Sequence, residues 1–132
     1  MTALKTSAAA ALLGLFVLAT AHPALAEYVN RWVYNKTDHC VWFTIDARNT
    51  NFTQWSNTGS AFVPPGKTHT FNVETNAYLK VRAEPRKGAA CDQTKIADIE
   101  ITESTTFGSM LGPSETTIHG GSGKPFGLRW GK

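Results

Sequence analysis

The chain has 132 residues, with thirteen Lys and Arg residues against ten Asp and Glu and a formal net charge of +3. A chain of this length forms one domain with a modest hydrophobic core. Because the charge is nearly balanced and no basic stripe is present, the composition argues against a nucleic-acid partner.

Residues 1–26 are predicted to be a secretory signal peptide that is cleaved before Glu27. Its apolar run, from Ala8 to Ala19, is shorter than the roughly 20 residues that a membrane-spanning helix needs. The small residues of Ala24-Leu25-Ala26 fit a cleavage site. The alternative is an uncleaved N-terminal anchor. We expect residues 27–132 to form a single domain that is secreted or periplasmic and has no transmembrane segment.

After Glu27, apolar and polar residues alternate in short segments, a pattern that predicts β-strands. Turn residues separate the segments, and Pro64-Pro65-Gly66-Lys67 is the clearest turn because proline fixes φ and glycine permits positive φ. Gly120–Lys124 is expected to be a flexible loop. The predicted strands are Tyr28–Asn35, Cys40–Asp46, Ala61–Val63, Thr68–Glu74, Ala77–Glu84, Lys95–Thr102, Glu115–Ile118 and Phe126–Trp130.

These strands predict an all-β fold, a small antiparallel β-sandwich of about seven strands that is immunoglobulin-like or jelly-roll-like. A small β-barrel is the alternative. Cys40 and Cys91 are predicted to form one disulfide, because exported proteins meet an oxidising environment. The disulfide is expected to join distant parts of the sheet structure. A redox pair or two metal thiolates are the alternatives.

Aromatic side chains are the best candidates for a ligand-binding surface. If Val41 and Phe43 face the core, Trp42 points outward from the same strand. An outward ring can stack on a sugar or lie at a lipid interface. We therefore predict a secreted non-catalytic binding module for a glycan or a cell-envelope surface. The alternative is that the tryptophans form the core. The candidate ligand-binding residues are Trp32, Tyr34, Trp42 and Trp55.

Basic residues offer a second candidate surface. Lys80, Arg82, Arg86 and Lys87 are predicted to face outward, where they would meet an anionic polymer or surface. The alternative is a solvated face in which Glu84 balances part of the charge.

The alternative function is a secreted inhibitor or toxin-like effector that binds an extracellular protein through loops. The candidate loops are residues 48–60 and 108–123, which are long and rich in Asn, Thr, Ser and Gly. We expect the protein to be a monomer or a dimer.

No local motif indicates an enzyme, since the chain contains neither G-x-S-x-G nor H-E-x-x-H. We therefore expect no catalytic residue, no cofactor and no metal. Asp38, His39 and Cys40 are adjacent, but neighbouring strand residues point to opposite faces and do not converge on an ion. His69 alternates with Phe71 and is predicted to be a packed core histidine.

Two glycosylation sequons are present, Asn35-Lys36-Thr37 and Asn51-Phe52-Thr53. The first belongs to a segment, Asn30 to Trp42, that together with Val63-Pro64-Pro65-Gly66 resembles the start of thaumatin-like and aegerolysin-like β-sandwiches. Those families also pair an early N-x-T turn with a later P-G hairpin. The many cysteines of thaumatins are absent from this chain, and we assign no family from this resemblance.

Overall fold

The structure is a computed structural model that describes residues 28–49, 51–75, 77–103 and 115–131. The predicted signal peptide lies outside these residues. The described part of the chain contains eight strands. They are β1 (Tyr28–Asn35), β2 (Val41–Asn49), β3 (Ser56–Val63), β4 (Thr68–Glu74), β5 (Ala77–Pro85), β6 (Ile99–Thr102), β7 (Glu115–Gly121) and β8 (Lys124–Trp130).

The strands form two four-stranded sheets, which confirms the predicted β-sandwich rather than the barrel. Sheet A has the strand order β4-β1-β7-β8, and sheet B has the order β3-β2-β5-β6. Neighbouring strands are antiparallel, with the exception that β1 and β7 pair in parallel. The sheets pack face to face, and their inward side chains form one core.

Strict alternation places the core residues. In β5, every second residue from Ala77 onward is buried, and the residues between them are half-buried on the outside of sheet B. In β2 the inward residues Val41, Phe43 and Ile45 are buried and Trp42 is turned outward, while the outward residues Thr44 and Asp46 are buried as well. Burial of each large apolar side chain stabilises the fold by about 1.5–3 kcal/mol. The core cluster of buried side chains contains Val33, Val41, Phe43, Ile45, Val63, Phe71, Val73, Leu79, Val81, Ala83 and Ile118.

The predicted disulfide is confirmed, with a Cα–Cα distance of 5.1 Å between Cys40 and Cys91. Cys40 directly precedes β2, and Cys91 lies in the connection from β5 to β6, so both cysteines belong to the side of sheet B. The bond therefore fastens a long connection to its own sheet and does not join the two sheets. Backbone hydrogen bonds from Cys40 N to Gly88 O and from Arg86 N to Cys40 O hold the same connection.

Asn35 links two turns at one end of the sandwich. Its side-chain amide donates to the carbonyls of His39 and Val63, at 2.6 and 2.8 Å, and its Oδ1 accepts from the hydroxyl of Thr37. The backbone carbonyl of Asn35 accepts from Gly66 N. The N-x-T turn and the later P-G turn are thus parts of one hydrogen-bonded unit.

Four local predictions were wrong. The strand expected over Lys95–Thr102 is shorter, since β6 begins only at Ile99. Ser56–Ser60 was expected to be part of a loop but belongs to β3; this is an edge strand with few buried positions, so its polar composition looks like that of a loop. Gly120–Lys124 is a tight hairpin rather than a flexible loop, because Ser122 and Gly123 adopt the positive φ of a two-residue turn. His69 is exposed rather than packed in the core; it lies at the start of β4 and contacts Phe71 edge-on at 4.9 Å.

Candidate binding site

The outer face of sheet B carries two groups of aromatic side chains, one at each end of β2. We call this surface the aromatic–cationic face. At the rise of a β-strand, the separation of Trp42 from Arg48 along β2 corresponds to roughly 20 Å. Strand register sets Trp42 beside Phe62 and Arg48 beside Tyr78. The face is defined by Trp42, Arg48, Trp55, Phe62, Tyr78 and Lys80.

The first group is the pair of Trp42 and Phe62, whose ring centroids lie 4.5 Å apart. Phe62 belongs to the edge strand β3 and is 45% exposed, while Trp42 is half-buried. The guanidinium of Arg86 lies over the Phe62 ring at 5.2 Å. This end of the face offers apolar ring surface to a ligand.

The second group combines two rings with two cations. The ammonium of Lys80 lies 4.3 Å from the centroid of the Trp55 ring, and the guanidinium of Arg48 lies 4.5 Å from the centroid of Tyr78 and 5.4 Å from that of Trp55. Cation–π attraction of this kind fixes the long cationic side chains on the rings. The result is a cluster in which positive charge covers aromatic surface.

The charged residues between the two groups are mostly paired. Arg82 contacts Asp46 at 3.2 Å, and Glu84 lies 3.9 Å from Arg86 and 3.5 Å from Lys95. By contrast, neither Arg48 nor Lys80 has a carboxylate partner among the described residues. In the predicted basic set, Arg82 and Arg86 are therefore paired, whereas Lys80 and Lys87 have no carboxylate partner among the described residues, and of these two only Lys80 lies on an aromatic ring.

The four aromatic residues predicted to bind ligand do not form one surface. Trp42 and Trp55 lie on the aromatic–cationic face, whereas Trp32 and Tyr34 lie on β1 in sheet A, on the opposite side of the sandwich. Trp32 is 36% exposed, and Tyr34 is half-buried beside Thr68 and Glu115. The two pairs cannot contact one compact ligand at the same time.

A cleft of about 640 Å³ opens at the end of the sandwich where β1 begins. Residues from β1, the end of β2, the β2–β3 loop, β3, β4 and the start of β5 line it. Tyr28 and Phe52 are its exposed rings, at 60% and 64% exposure. Sequence reasoning missed this site, although Phe52 in a stretch rich in Asn and Thr was a signal that an aromatic ring stands among hydrogen-bonding groups.

Asp38, His39 and Ser122 meet at the opposite end of the molecule. The hydroxyl of Ser122 donates to Asp38 Oδ2 at 2.6 Å, and this bond, followed by a backbone hydrogen bond, lowers the pKa of the Asp38 carboxyl from its usual value. His39 Nε2 lies 3.3 Å from Asp38 Oδ1, and its Nδ1 lies 2.8 Å from the carbonyl of Arg86. Because Ser122 bonds to the carboxylate and not to the imidazole, this is not the order of a Ser-His-Asp triad.

The two sequons have different environments. Asn35 is completely buried and both hydrogens of its amide are engaged, so this side chain has no room for a glycan. Asn51 is exposed in the β2–β3 loop, next to the cleft.

The loops predicted to bind a partner protein are shorter than expected. Of residues 48–60, Arg48 and Asn49 end β2, and β3 begins at Ser56. Of residues 108–123, those from 108 to 114 lie outside the described residues, and β7 begins at Glu115. In the described part of the chain, no group of three or more His, Cys, Asp or Glu side chains is arranged to hold a metal ion.

None of the described segments forms a helix that is long and apolar enough to cross a membrane.

Comparison with known proteins assigns no family to this chain. The chain matches no protein-family model, no curated protein and no solved structure.

Proposed function

We propose that the protein is an exported, non-catalytic binding module that holds an acidic glycan on the aromatic–cationic face. The observation that carries this proposal is the pair of cations, Arg48 and Lys80, that lie on aromatic rings without a carboxylate partner among the described residues. An acidic group of the glycan would supply the missing negative charge.

The spacing of the face favours an extended ligand. The Trp42–Phe62 pair and the Trp55–Tyr78 group lie roughly 20 Å apart along β2, so a ligand that contacts both must be an oligosaccharide or a polymer. Sugar C–H groups pack against aromatic rings at the first group, where Phe62 is exposed. Carboxylate or sulfate groups then reach Arg48 and Lys80 at the second.

Polar groups between the two ends support the same reading. The hydroxyl of Ser60 donates to that of Thr44 at 3.2 Å, and Asn57 donates to Asp46 at 3.2 Å. Thr44 and Asp46 are buried, and they hold the exposed side chains of Ser60 and Asn57 between the aromatic groups, where hydroxyl groups of a sugar chain would pass. A surface of fixed polar groups between rings is suited to a glycan, because little conformational freedom is lost on binding.

The proposal includes a location outside the cytoplasm. A disulfide in a small β domain is compatible with an oxidising compartment outside the cytoplasm. The predicted signal peptide would bring the domain there. A binding protein in that location meets the acidic polysaccharides of cell surfaces.

Isothermal titration calorimetry with polygalacturonate, heparin and neutral dextran tests the proposal. We expect at least one acidic polymer to bind and dextran to bind more weakly. Lys80→Gln should weaken binding of the acidic polymer roughly tenfold, the consequence of losing one interaction with a charged group. The matched control is Lys124→Gln, an exposed lysine on β8 in sheet A, which should bind like the wild type.

Two outcomes would refute the proposal. One is that neither acidic polymer binds. The other is that Lys80→Gln binds both polymers as tightly as the wild type does. A protein partner whose capture survives loss of both Trp42 and Lys80 would favour a protein-binding role through the β2–β3 loop instead.

A further inference from the structure

We propose that a pocket on the outer face of sheet A binds a phosphocholine group. This inference does not rest on the proposed role of the aromatic–cationic face, which lies on the opposite side of the sandwich. The pocket has a volume of about 320 Å³, at the lower end of the range for small-ligand sites. Tyr34, Lys36, Thr68 and Glu115 line it.

Three neighbouring strands of sheet A assemble the pocket. Tyr34 of β1 pairs with Thr68 of β4. Trp32, two residues earlier on β1, pairs with Glu115 of β7. Paired residues on neighbouring strands point to the same side of a sheet, and so do residues two apart on one strand. These four side chains therefore share one face, and Lys36 extends the row just beyond the end of β1.

The pocket carries one positive and one negative side chain that do not neutralise each other. Lys36 and Glu115 are both described and line the same pocket, but they form no ion pair with each other. Strand register explains this, because Glu115 lies beside Trp32, and the separation of Trp32 from Lys36 corresponds to roughly 13 Å along the strand direction. Tyr34 lies between the two charges. A ligand that matches both ends must carry a cation and an anion at separate positions.

The negative end of the pocket is suited to a quaternary ammonium group. Glu115 supplies a carboxylate, and Trp32 beside it is 36% exposed. A quaternary ammonium carries its charge on methyl groups, so aromatic rings attract it through cation–π contacts and its methyl groups cover the exposed ring surface. A primary ammonium would lose hydrogen bonds to water where it faces the rings of Trp32 and Tyr34. The combination of rings and a carboxylate therefore favours choline over a primary amine.

The positive end of the pocket is suited to a phosphate group. Lys36 supplies an ammonium and Thr68 a hydroxyl, and both residues are exposed. The oxygens of a phosphate can accept hydrogen bonds from both groups at once. An α-amino acid also carries two opposite charges, but they are attached to one carbon atom and cannot reach both ends of the pocket. Phosphocholine separates its charges by a two-carbon linker and matches both ends.

NMR titration of the mature protein with phosphocholine, choline, inorganic phosphate and glycine betaine tests the inference. We expect phosphocholine to give saturable shifts at the amides of Tyr34 and Thr68. It should bind about tenfold or more tightly than choline or phosphate, because each of these lacks one of the two charged contacts. Glycine betaine should also bind more weakly, because its two charges are too close together.

Three variants test the residues that define the two ends. Glu115→Gln and Lys36→Gln should each raise the Kd of phosphocholine about tenfold, the consequence of losing one charged contact. Trp32→Ala should raise it by a similar factor through loss of the aromatic contact. The matched controls are Glu100→Gln on β6 and Lys87→Gln in the connection that follows β5; both residues are exposed on the side of sheet B, and both variants should bind like the wild type.

The same chemical group is presented by phosphatidylcholine lipids and by soluble phosphocholine compounds, and sedimentation with phosphatidylcholine vesicles distinguishes these sources. Cosedimentation that Trp32→Ala abolishes would support the inference and assign the lipid headgroup as the ligand. Saturable binding of soluble phosphocholine without cosedimentation would support the inference with a soluble or polymer-linked ligand.

The inference is overturned if phosphocholine gives no saturable shifts at the pocket, if choline or glycine betaine binds as tightly as phosphocholine, or if Glu115→Gln and Lys36→Gln both bind like the wild type. Failure of this site is distinguishable from failure of the proposed function. Lys80→Gln should leave phosphocholine binding unchanged, and Trp32→Ala should leave binding of the acidic polymer unchanged.

Discussion

Arg31 and Glu103 form a buried ion pair between the two sheets, with Arg31 Nη2 donating to Glu103 Oε2 at 2.8 Å. Their side chains are only 4% and 6% exposed. Arg31 points inward from β1 in sheet A, and Glu103 directly follows β6 in sheet B, where its backbone N–H also bonds to the carbonyl of Leu79. The pair therefore links the sheets at a point where the core is not purely apolar.

Glu103→Gln should destabilise the domain by about 3–5 kcal/mol, because it leaves the charge of Arg31 buried without its partner. Urea unfolding followed by tryptophan fluorescence measures the effect. The control is the double variant Arg31→Met/Glu103→Leu, which removes both charges and should recover most of the lost stability. An unfolding midpoint of Glu103→Gln equal to that of the wild type would contradict this role for the pair.

Removal of the disulfide in the Cys40→Ala/Cys91→Ala variant should cost about 2–5 kcal/mol, because the unfolded chain regains the freedom of the long loop that the bond closes. Thermal unfolding under identical buffer conditions measures the change in Tm. Reduction of the wild-type protein should lower its Tm in the same direction, whereas the double variant should be insensitive to reductant. Equal Tm values for the variant and the oxidised wild type would show that backbone hydrogen bonds alone hold the β5–β6 connection.

Trp42→Ala should weaken binding of the acidic polymer but change the Tm little, because the indole lies on the outer face of sheet B and is only half-buried. The adjacent residue Phe43 gives a matched comparison on the same strand. Phe43 is completely buried in the core, so Phe43→Ala should cost about 3–5 kcal/mol of stability. A large loss of stability in Trp42→Ala would assign the indole to the fold rather than to the binding surface.

Ser122→Ala should raise the pKa of Asp38 toward its usual value, because the hydroxyl of Ser122 stabilises the ionised carboxylate. In the wild type, the lowered pKa means that the folded state favours the ionised form. The small stabilisation is therefore present near neutral pH and is lost as the pH falls through the folded-state pKa. NMR titration of the Asp38 carboxyl carbon measures the shift, and an unchanged pKa in the variant would remove Ser122 as its cause.

Alternation along the chain was enough to predict the architecture. It predicted β5 as Ala77–Glu84, one residue shorter than the observed strand. It also predicted correctly that Trp42 and Lys80 face outward. The period of a strand depends only on local geometry, so the pattern of a central strand with a buried face can be predicted from the sequence. The edge strand β3 could not, because few of its residues are buried.

Contacts between the sheets and across loops could not be predicted from the sequence. Arg31 points inward because it alternates with Val33 along β1, but its pairing with Glu103 depends on which strands face each other. In the same way, alternation says nothing of the position of Trp55, which reaches Lys80 from a loop. The cleft was missed for this reason too, since its lining is assembled from distant segments.

The four tryptophans allow one spectrum to test the central claim. Trp42 and Trp55 lie on the aromatic–cationic face, Trp32 lies on the opposite sheet, and Trp130 packs against the core from β8. In a titration with oligogalacturonate or a heparin oligosaccharide followed by the indole N–H signals, we predict that those of Trp42 and Trp55 shift with a common Kd while that of Trp32 does not move. Shifts confined to Trp32, or no shift with either ligand, would contradict the account.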